Sequence, residues 1–363
     1  MDSFDFSHED VERAARYHRP RYVALFVELV LSVAVLAVLQ WWWLSPWHLV
    51  AGLGWAGAAA AYAGVVTVVG ALVRVPVSYW RGHLQERRWG FSTQSARGWL
   101  ADLVKGETVG LLLTAAFWTA LVGFARWLPS AWPAAAAAAF ALAVAFLTFV
   151  APVVLEPIFN RFRPLADERL AGELRALAEQ AGVPVRDVLV ADASRRTTKV
   201  NAYVSGLGKT RRVVLYDTLL EAADEGELKL VVAHELGHRR ERHIVKITLG
   251  AMVGAALWVV LLWALLGSRI ALPRELPLVL LVSLGLRVAA AAPVAAIFRH
   301  WERVADRCSL ELTNDLPSFE RTHQELARRN LGDLAPPRLA YLLLFSHPTA
   351  PERLALGRAW AEG

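Results

Sequence analysis

Residues 22–43 read YVALFVELVLSVAVLAVLQWWW, an apolar run interrupted by a single charge, Glu28. A helix of about 20 such residues, rising about 1.5 Å per residue, crosses the apolar core of a bilayer. The run is too long and wrongly flanked for a cleaved signal peptide. Five more runs of the same kind follow: His48–Val73, Thr108–Trp127, Trp132–Ile158 with its Ala134–Ala139 stretch, about Ile244–Leu266, and about Leu276–Phe298. A soluble core helix is apolar on one stripe, whereas these are apolar all round. Composition agrees, with 363 residues of which 56% are hydrophobic, a mean hydropathy of +0.36 and 20% charged residues. Soluble domains carry about 25% charged residues. Disordered and fibrous classes are excluded, and an ordinary soluble globule is disfavoured. Cys308 is the only cysteine. That excludes a disulfide framework and a multi-Cys zinc finger, so any metal ligands must be His, Asp or Glu.

The basic residues set an orientation. Arg13, Arg16, Arg19 and Arg21 precede the first run, and Arg74, Arg81, Arg87, Arg88, Arg97 and Lys105 lie between the second and third. Residues 159–243 and the tail after Phe298 are also strongly basic. The connection between the first and second runs has no Lys or Arg, the third-to-fourth only Arg126, and the fifth-to-sixth only Arg269 and Arg274. The positive-inside rule then places both termini and the large polar segments in the cytoplasm. Four parts follow: a membrane region over 1–158 with four spans and a polar loop at 76–107, a polar segment at 159–243, two spans over 244–298, and a helical tail at 299–363. Gly82, Gly90 and Ser92 are expected to break the 76–107 loop. The 159–243 segment predicts a helix over Asp167–Ala181 and short strands at Asp187–Ala191, Lys199–Val204 and Arg212–Tyr216. A second helix is expected from near Asp224 through VVAHELGH. The tail predicts three or four helices, broken at Pro317 and Pro336-Pro337. Glu28 and Arg287 are costly in lipid, so they should line a hydrated cavity or pair with one another.

The chemistry centres on His234-Glu235-Leu236-Gly237-His238. On a helix, positions i and i+4 share a face. Two imidazoles there can hold one Zn²⁺, with the intervening Glu235 placed to take a proton from an attacking water. A chance match on a charged helix face is the plain alternative; the apolar residues before it and the scarcity of His elsewhere favour metal binding. A catalytic zinc needs a third protein ligand. Glu241 fails, lying about 10 Å along the helix axis from His234. Glu302 is the better candidate, where the sixth span leaves the membrane at the face from which the fifth departs. Asp306, one turn on, can accept a hydrogen bond from a ligating His and fix its tautomer. Taken alone, the two acids also fit an ordinary surface helix with an acidic i,i+4 pair among arginines.

HELGH, ERVAD (Glu302–Asp306), NAYVSGLG (Asn201–Gly208) with RRVVLYDTLL (Arg211–Leu220), and SHPTAPER (Ser346–Arg353) together resemble the integral-membrane CAAX-type prenyl endopeptidases. These are gluzincin metalloproteases with a cytosol-facing active site. Glu86–Gly106 and Phe159–Leu165 extend the resemblance to nearly the whole chain. It implies zinc on His234, His238 and Glu302, with Glu235 as general base and Asp306 behind a ligand. Asn201 and Ala202, on a strand edge, would pair with substrate backbone. His347 and Arg353 would steady the oxyanion or hold a substrate carboxylate. On the residues alone, His347 also fits a cap ahead of Pro348, Arg353 a structural ion pair, His243 an interfacial side chain and Cys308 a packed thiol. Eukaryotic members have seven spans against six here.

The expected fold is mostly α: a polytopic α-helical membrane protein of about six transmembrane helices, carrying a cytoplasmic zincin-like α+β metalloprotease domain. The expected function is zinc-dependent hydrolysis of peptide bonds in a peptide or protein substrate, prenylated or otherwise membrane-associated. The lipid bilayer is the other partner, and nucleic acid is not expected. One alternative is a stress or quality-control membrane metalloprotease with non-prenylated substrates. Another is a non-catalytic membrane chaperone or transporter with structural zinc, disfavoured because a structural site closes the fourth position and has no use for Glu235.

Overall fold

The computed structural model describes residues 5–41, 46–206 and 208–362. Helices α1 (His8–Trp41), α2 (Trp55–Arg88), α3 (Ala96–Trp127) and α4 (Trp132–Phe159) are each long and apolar enough to cross a membrane. The basic stretch before Tyr22 belongs to α1, continuous through Pro20. Trp42, Trp43 and Ser45, the end of the first expected span and its turn, lie outside the described residues. The second span begins later than expected, after a 3₁₀ turn at Pro46–Leu49.

The polar loop expected over 76–107 is mostly helix. α2 runs on through Pro76 and a π-helical turn at Trp80–Leu84, with Gly82 inside it rather than breaking it. The break falls at Gly90, whose φ of +77° suits a residue without Cβ. Ser92 bridges to Thr197, and Ser95 caps α3 by accepting from the Gly98 N–H at 3.1 Å. Hydrophobic-inside packing of the bundle buries Tyr62, Trp118, Leu121 and Leu262. Its outer face exposes Phe26, Phe146, Leu257 and Leu265, as a surface that meets hydrocarbon does.

The next segment is a small α+β unit of β1 (Phe162–Pro164), α5 (Glu168–Gln180), β2 (Asp187–Ala191), β3 (Ala202–Ser205), β4 (Arg212–Tyr216), α6 (Asp217–Ala222) and α7 (Glu225–Arg240). Strand order is β1-β2-β4-β3, with β2 and β4 parallel and the outer pairs antiparallel, so β3 is an edge. Asp167 caps α5, and Asp224 with Glu227 forms a capping box on α7. Leu174, Val188, Val213, Leu215 and Leu236 pack beneath the sheet. β2 and β4 fall where the Val-rich runs put them. The run from Lys199 becomes strand only at Ala202, because Lys199 N–H is taken by Thr197 Oγ1 and both polar groups of Val200 by the Asn330 side chain.

Arg242, in the left-handed region at φ +55°, turns the chain sharply from α7 into α8 (His243–Leu266). α9 (Leu276–Thr313) carries the sixth apolar run out of the bundle and, without interruption, into the small unit. α10 (Leu316–Arg329), α11 (Arg338–Leu344) and α12 (Ala350–Glu362) complete the tail. Pro317 sits in the first turn of α10 and Pro337 just ahead of α11, where a missing N–H costs nothing. α7 and α9 cross almost in contact. A Cβ on Gly237 would lie 2.9 Å from Cys308 Cβ and 3.1 Å from the Ala305 carbonyl. The free Cys308 thiol is packed at this crossing.

Glu28 does not pair with Arg287. It accepts from Arg81 Nη2 and from Ser78 Oγ, both at 3.1 Å and both on α2, the neighbour that α1 packs against.

Candidate active site

α7 places His234 and His238 one turn apart, and α9 brings Glu302 across from them. The two Nε2 atoms are 3.2 Å apart, and each lies 3.3 Å from a different oxygen of Glu302. Three ligand atoms so close repel one another unless a metal ion or a shared proton lies between them. Tetrahedral zinc with ligands at about 2.0–2.1 Å sets ligand-to-ligand edges of about 3.4 Å, so the triangle fits that ion. Among the described residues, this is the cluster of His, Cys, Asp or Glu whose ligand atoms converge. Glu241 takes no part and ends α7, its N–H bonded to the Gly237 carbonyl.

Behind the triangle, Asp306 Oδ1 lies 2.8 Å from His234 Nδ1, the arrangement that leaves Nε2 bare. Arg353 binds both acids at once, Nη2 donating to Glu302 Oε2 at 2.7 Å and Nη1 to Asp306 Oδ1 at 2.6 Å. These two contacts make Arg353 a positioning residue for both carboxylates. His243 starts the fifth spanning helix and is buried against protein, stacked on Trp301 at 5.3 Å, with Nδ1 2.9 Å from His238 Nδ1. His323 was not singled out from sequence. Its ring packs edge-on against Phe319 at 4.4 Å, Nε2 is 3.8 Å from Asp306 Oδ1, and burial pushes its pKa down to about 3.

A cleft of about 300 Å³ opens in front, lined by Asn201, Glu235, His323, Asn330 and His347 among others. Burial pushes the Glu235 carboxyl above the ordinary value for glutamate. His347 is exposed at the cleft, its Nε2 3.3 Å from Glu302 Oε1 and its Nδ1 2.8 Å from Ser346 Oγ.

The Asn201 carbonyl accepts from Tyr216 N–H at 3.0 Å and so faces β4. Backbone polar groups alternate sides along a strand, which points those of Ala202 out from the free edge. The Ala202 N–H is held at 2.9 Å by the Asn201 side chain. The approach to this edge is clamped from three places. Asn330 donates to and accepts from Val200, both at 3.1 Å; Lys199 Nζ meets Glu86 at 2.9 Å and Tyr17 Oη at 2.8 Å, with Arg21 also on Glu86; and the Gly90 and Phe91 carbonyls accept from Thr198. Partners up to 182 positions apart leave no local sequence signal beyond the membership of Glu86 and Gly90 in the Glu86–Gly106 motif.

Residues 164–361 match the model of peptidase family M48, and residues 3–161 match that of the CAAX prenyl protease N-terminal region, described as five membrane helices. Among the described residues, that stretch holds four helices apolar enough to cross a membrane. Over 307 residues the chain is 29% identical to the uncharacterized metalloprotease YhfN of Bacillus subtilis, covering 80% of this chain and 71% of that one. CAAX prenyl protease 1 of Saccharomyces cerevisiae is 30% identical over 191 residues, 52% of this chain and 42% of the yeast protein. The crystal structure of S. mikatae Ste24p matches with a TM-score of 0.87 over 98% of this chain and 90% of that one, at 22% identity, a likeness of fold. The M48 match contains all three corners of the His234–His238–Glu302 triangle and Glu235 between them. The chain belongs to peptidase family M48 and is an integral membrane metalloprotease.

Proposed function

We propose that the chain is a zinc-dependent endopeptidase whose active site faces the cytoplasm and cleaves polypeptides presented at the membrane surface. One observation carries this reading: the ligand triangle with edges of 3.2–3.3 Å, sized for tetrahedral zinc. Zinc, when bound, supplies Lewis acidity for the scissile carbonyl and for water. Glu235, on the same helix turn and lining the cleft, takes the proton from the attacking water and passes it to the leaving amine. His347 reaches in from the opposite wall to donate to the developing oxyanion. Arg353 and Asp306 keep Glu302 and His234 in place while charge shifts in front of them. The substrate backbone adds to the free edge of β3 at Ala202, a substrate carbonyl taking the Ala202 N–H in place of the Asn201 side chain, whose amide then bonds the substrate. Sidedness rests on the one-sided distribution of Arg.

The names of the curated relatives support CAAX-type substrates with a prenylated C-terminus. The test is a peptide panel offered to detergent-purified protein: farnesylated and unfarnesylated CAAX peptides and one unfolded generic substrate, with and without chelator. The proposal expects chelator-sensitive cleavage with the farnesylated peptide preferred. Cleavage of the generic substrate alone would move the reading to quality control, and cleavage untouched by chelation would overturn it.

A further inference from the structure

A second cavity, of about 400 Å³, lies between α1, α2, α3 and α9, and shares no lining residue with the catalytic cleft. Valines and leucines form much of its wall, but Arg74 of α2, Glu107 of α3 and Arg287 of α9 also line it. Arg74 directly follows the second apolar run as read from sequence, and the structure keeps it within the spanning helix α2. None of the three forms an ion pair within the described residues, whereas Glu28 and Arg81, at the same α1–α2 seam, are paired at 3.1 Å. An ionised group in a membrane bundle is kept only where it meets water or a counter-charge. With all three ionised the cavity holds one positive charge in excess. Guanidinium forks match the paired oxygens of a phosphate or carboxylate. Glu107 immediately precedes the apolar run that starts at Thr108, so the cavity reaches the level of the lipid head groups on the side of the chain termini.

We infer that this cavity binds an oxyanion, with Arg74 and Arg287 as its grip and Glu107 as the group that weakens it. The apolar wall and the head-group level favour the phosphate of an anionic membrane lipid, with free phosphate as the other source of the same chemistry. The inference does not depend on the peptidase reading, since occupancy is read with no substrate present.

The experiment measures lipid retained per chain by native mass spectrometry, and thermal stability, for the full-length protein in phosphatidylcholine nanodiscs. Phosphatidylglycerol is titrated in one arm and inorganic phosphate in the other. Wild type is expected to retain phosphatidylglycerol over phosphatidylcholine and to melt higher as it is added. Arg74→Gln with Arg287→Gln should weaken half-saturation by about tenfold or more, as loss of charge-assisted hydrogen bonds implies. Glu107→Gln should tighten it, an effect that a damaged fold cannot produce. Arg74→Lys with Arg287→Lys should recover part of the loss. A rise in melting temperature with inorganic phosphate alone, lost in the Gln pair, supports the same site with a soluble anion. Equal retention and equal melting across wild type, the Gln pair and Glu107→Gln would overturn the inference.

Discussion

Two regions of this molecule gather ionisable side chains from different helices around one space, and they do so in opposite ways. In the catalytic centre, His234, Glu302, Asp306 and Arg353 are joined by contacts of 2.6–3.3 Å. In the bundle cavity, Arg74, Glu107 and Arg287 face the same space with no ion pair among the described residues. The closed network leaves one feature unbalanced, three bare ligand atoms that call for a cation. The open one leaves two guanidinia against one carboxylate, which calls for an anion. The same cost of stranded charge therefore points to a metal in one region and an oxyanion in the other.

The largest effect should come from prying the closed network apart. Gly237→Ala places a methyl against Cys308 and the Ala305 backbone, so α7 and α9 must separate and Glu302 must leave the histidines. Metal analysis of this variant should find zinc near zero and no hydrolysis; one zinc per chain would show that the close crossing is not what completes the triangle. Removing Arg353 is the next step down. Arg353→Ala strands two buried carboxylates, and losing a group that holds a ligand in place lowers metal affinity by about 10–100-fold. Competitive chelation would register that loss, with partial recovery in Arg353→Lys.

A smaller effect is expected at the clamp on the cleft edge. Glu86→Gln loosens the grip on Lys199 two residues ahead of Asn201. Steady-state kinetics should show KM rising several-fold while kcat and zinc content hold. A fall in kcat with loss of metal would place Glu86 in general folding instead.

The mildest probe is pH, which separates the two regions directly. Glu235 acts as a base only when ionised, and burial raises its pKa. Activity should therefore fall as pH drops through a midpoint above the ordinary glutamate value of about 4.3. In the bundle cavity a fall in pH can only neutralise Glu107, the group that weakens the grip, so phosphatidylglycerol retention should hold or rise while activity declines. Parallel profiles for both readouts would break the comparison.

How far the sequence carries the reader depends on whether a feature is local. The six spans follow from run length and all-round apolarity, the α7 start from Asp224 and Glu227, and the metal histidines from spacing on one helix. β2 and β4 announced themselves as Val-rich runs bounded by turn residues. The 76–107 stretch misled because Gly82, read as a breaker, sits in a π-helical turn that joins two helical segments without a break, leaving the break to Gly90. β1, with Arg163 and Pro164 among its three residues, carries no alternation to read. The partner of Glu28, the burial of His243 against Trp301 and the Asn330 clamp on Val200 arise from which helices become neighbours, and no single stretch of chain encodes that. Glu302 lay between these cases: placed by topology, open on its residues alone, and brought to the triangle by the long unbroken run of α9.

The most direct test of the central claim is zinc K-edge X-ray absorption on the purified protein. The account expects about one zinc per chain in a shell of two imidazole nitrogens and a carboxylate oxygen at about 2.0–2.1 Å, with the carboxylate contribution lost in Glu302→Ala. A sulfur scatterer from Cys308, a shell unchanged by Glu302→Ala, or no zinc at all would contradict it.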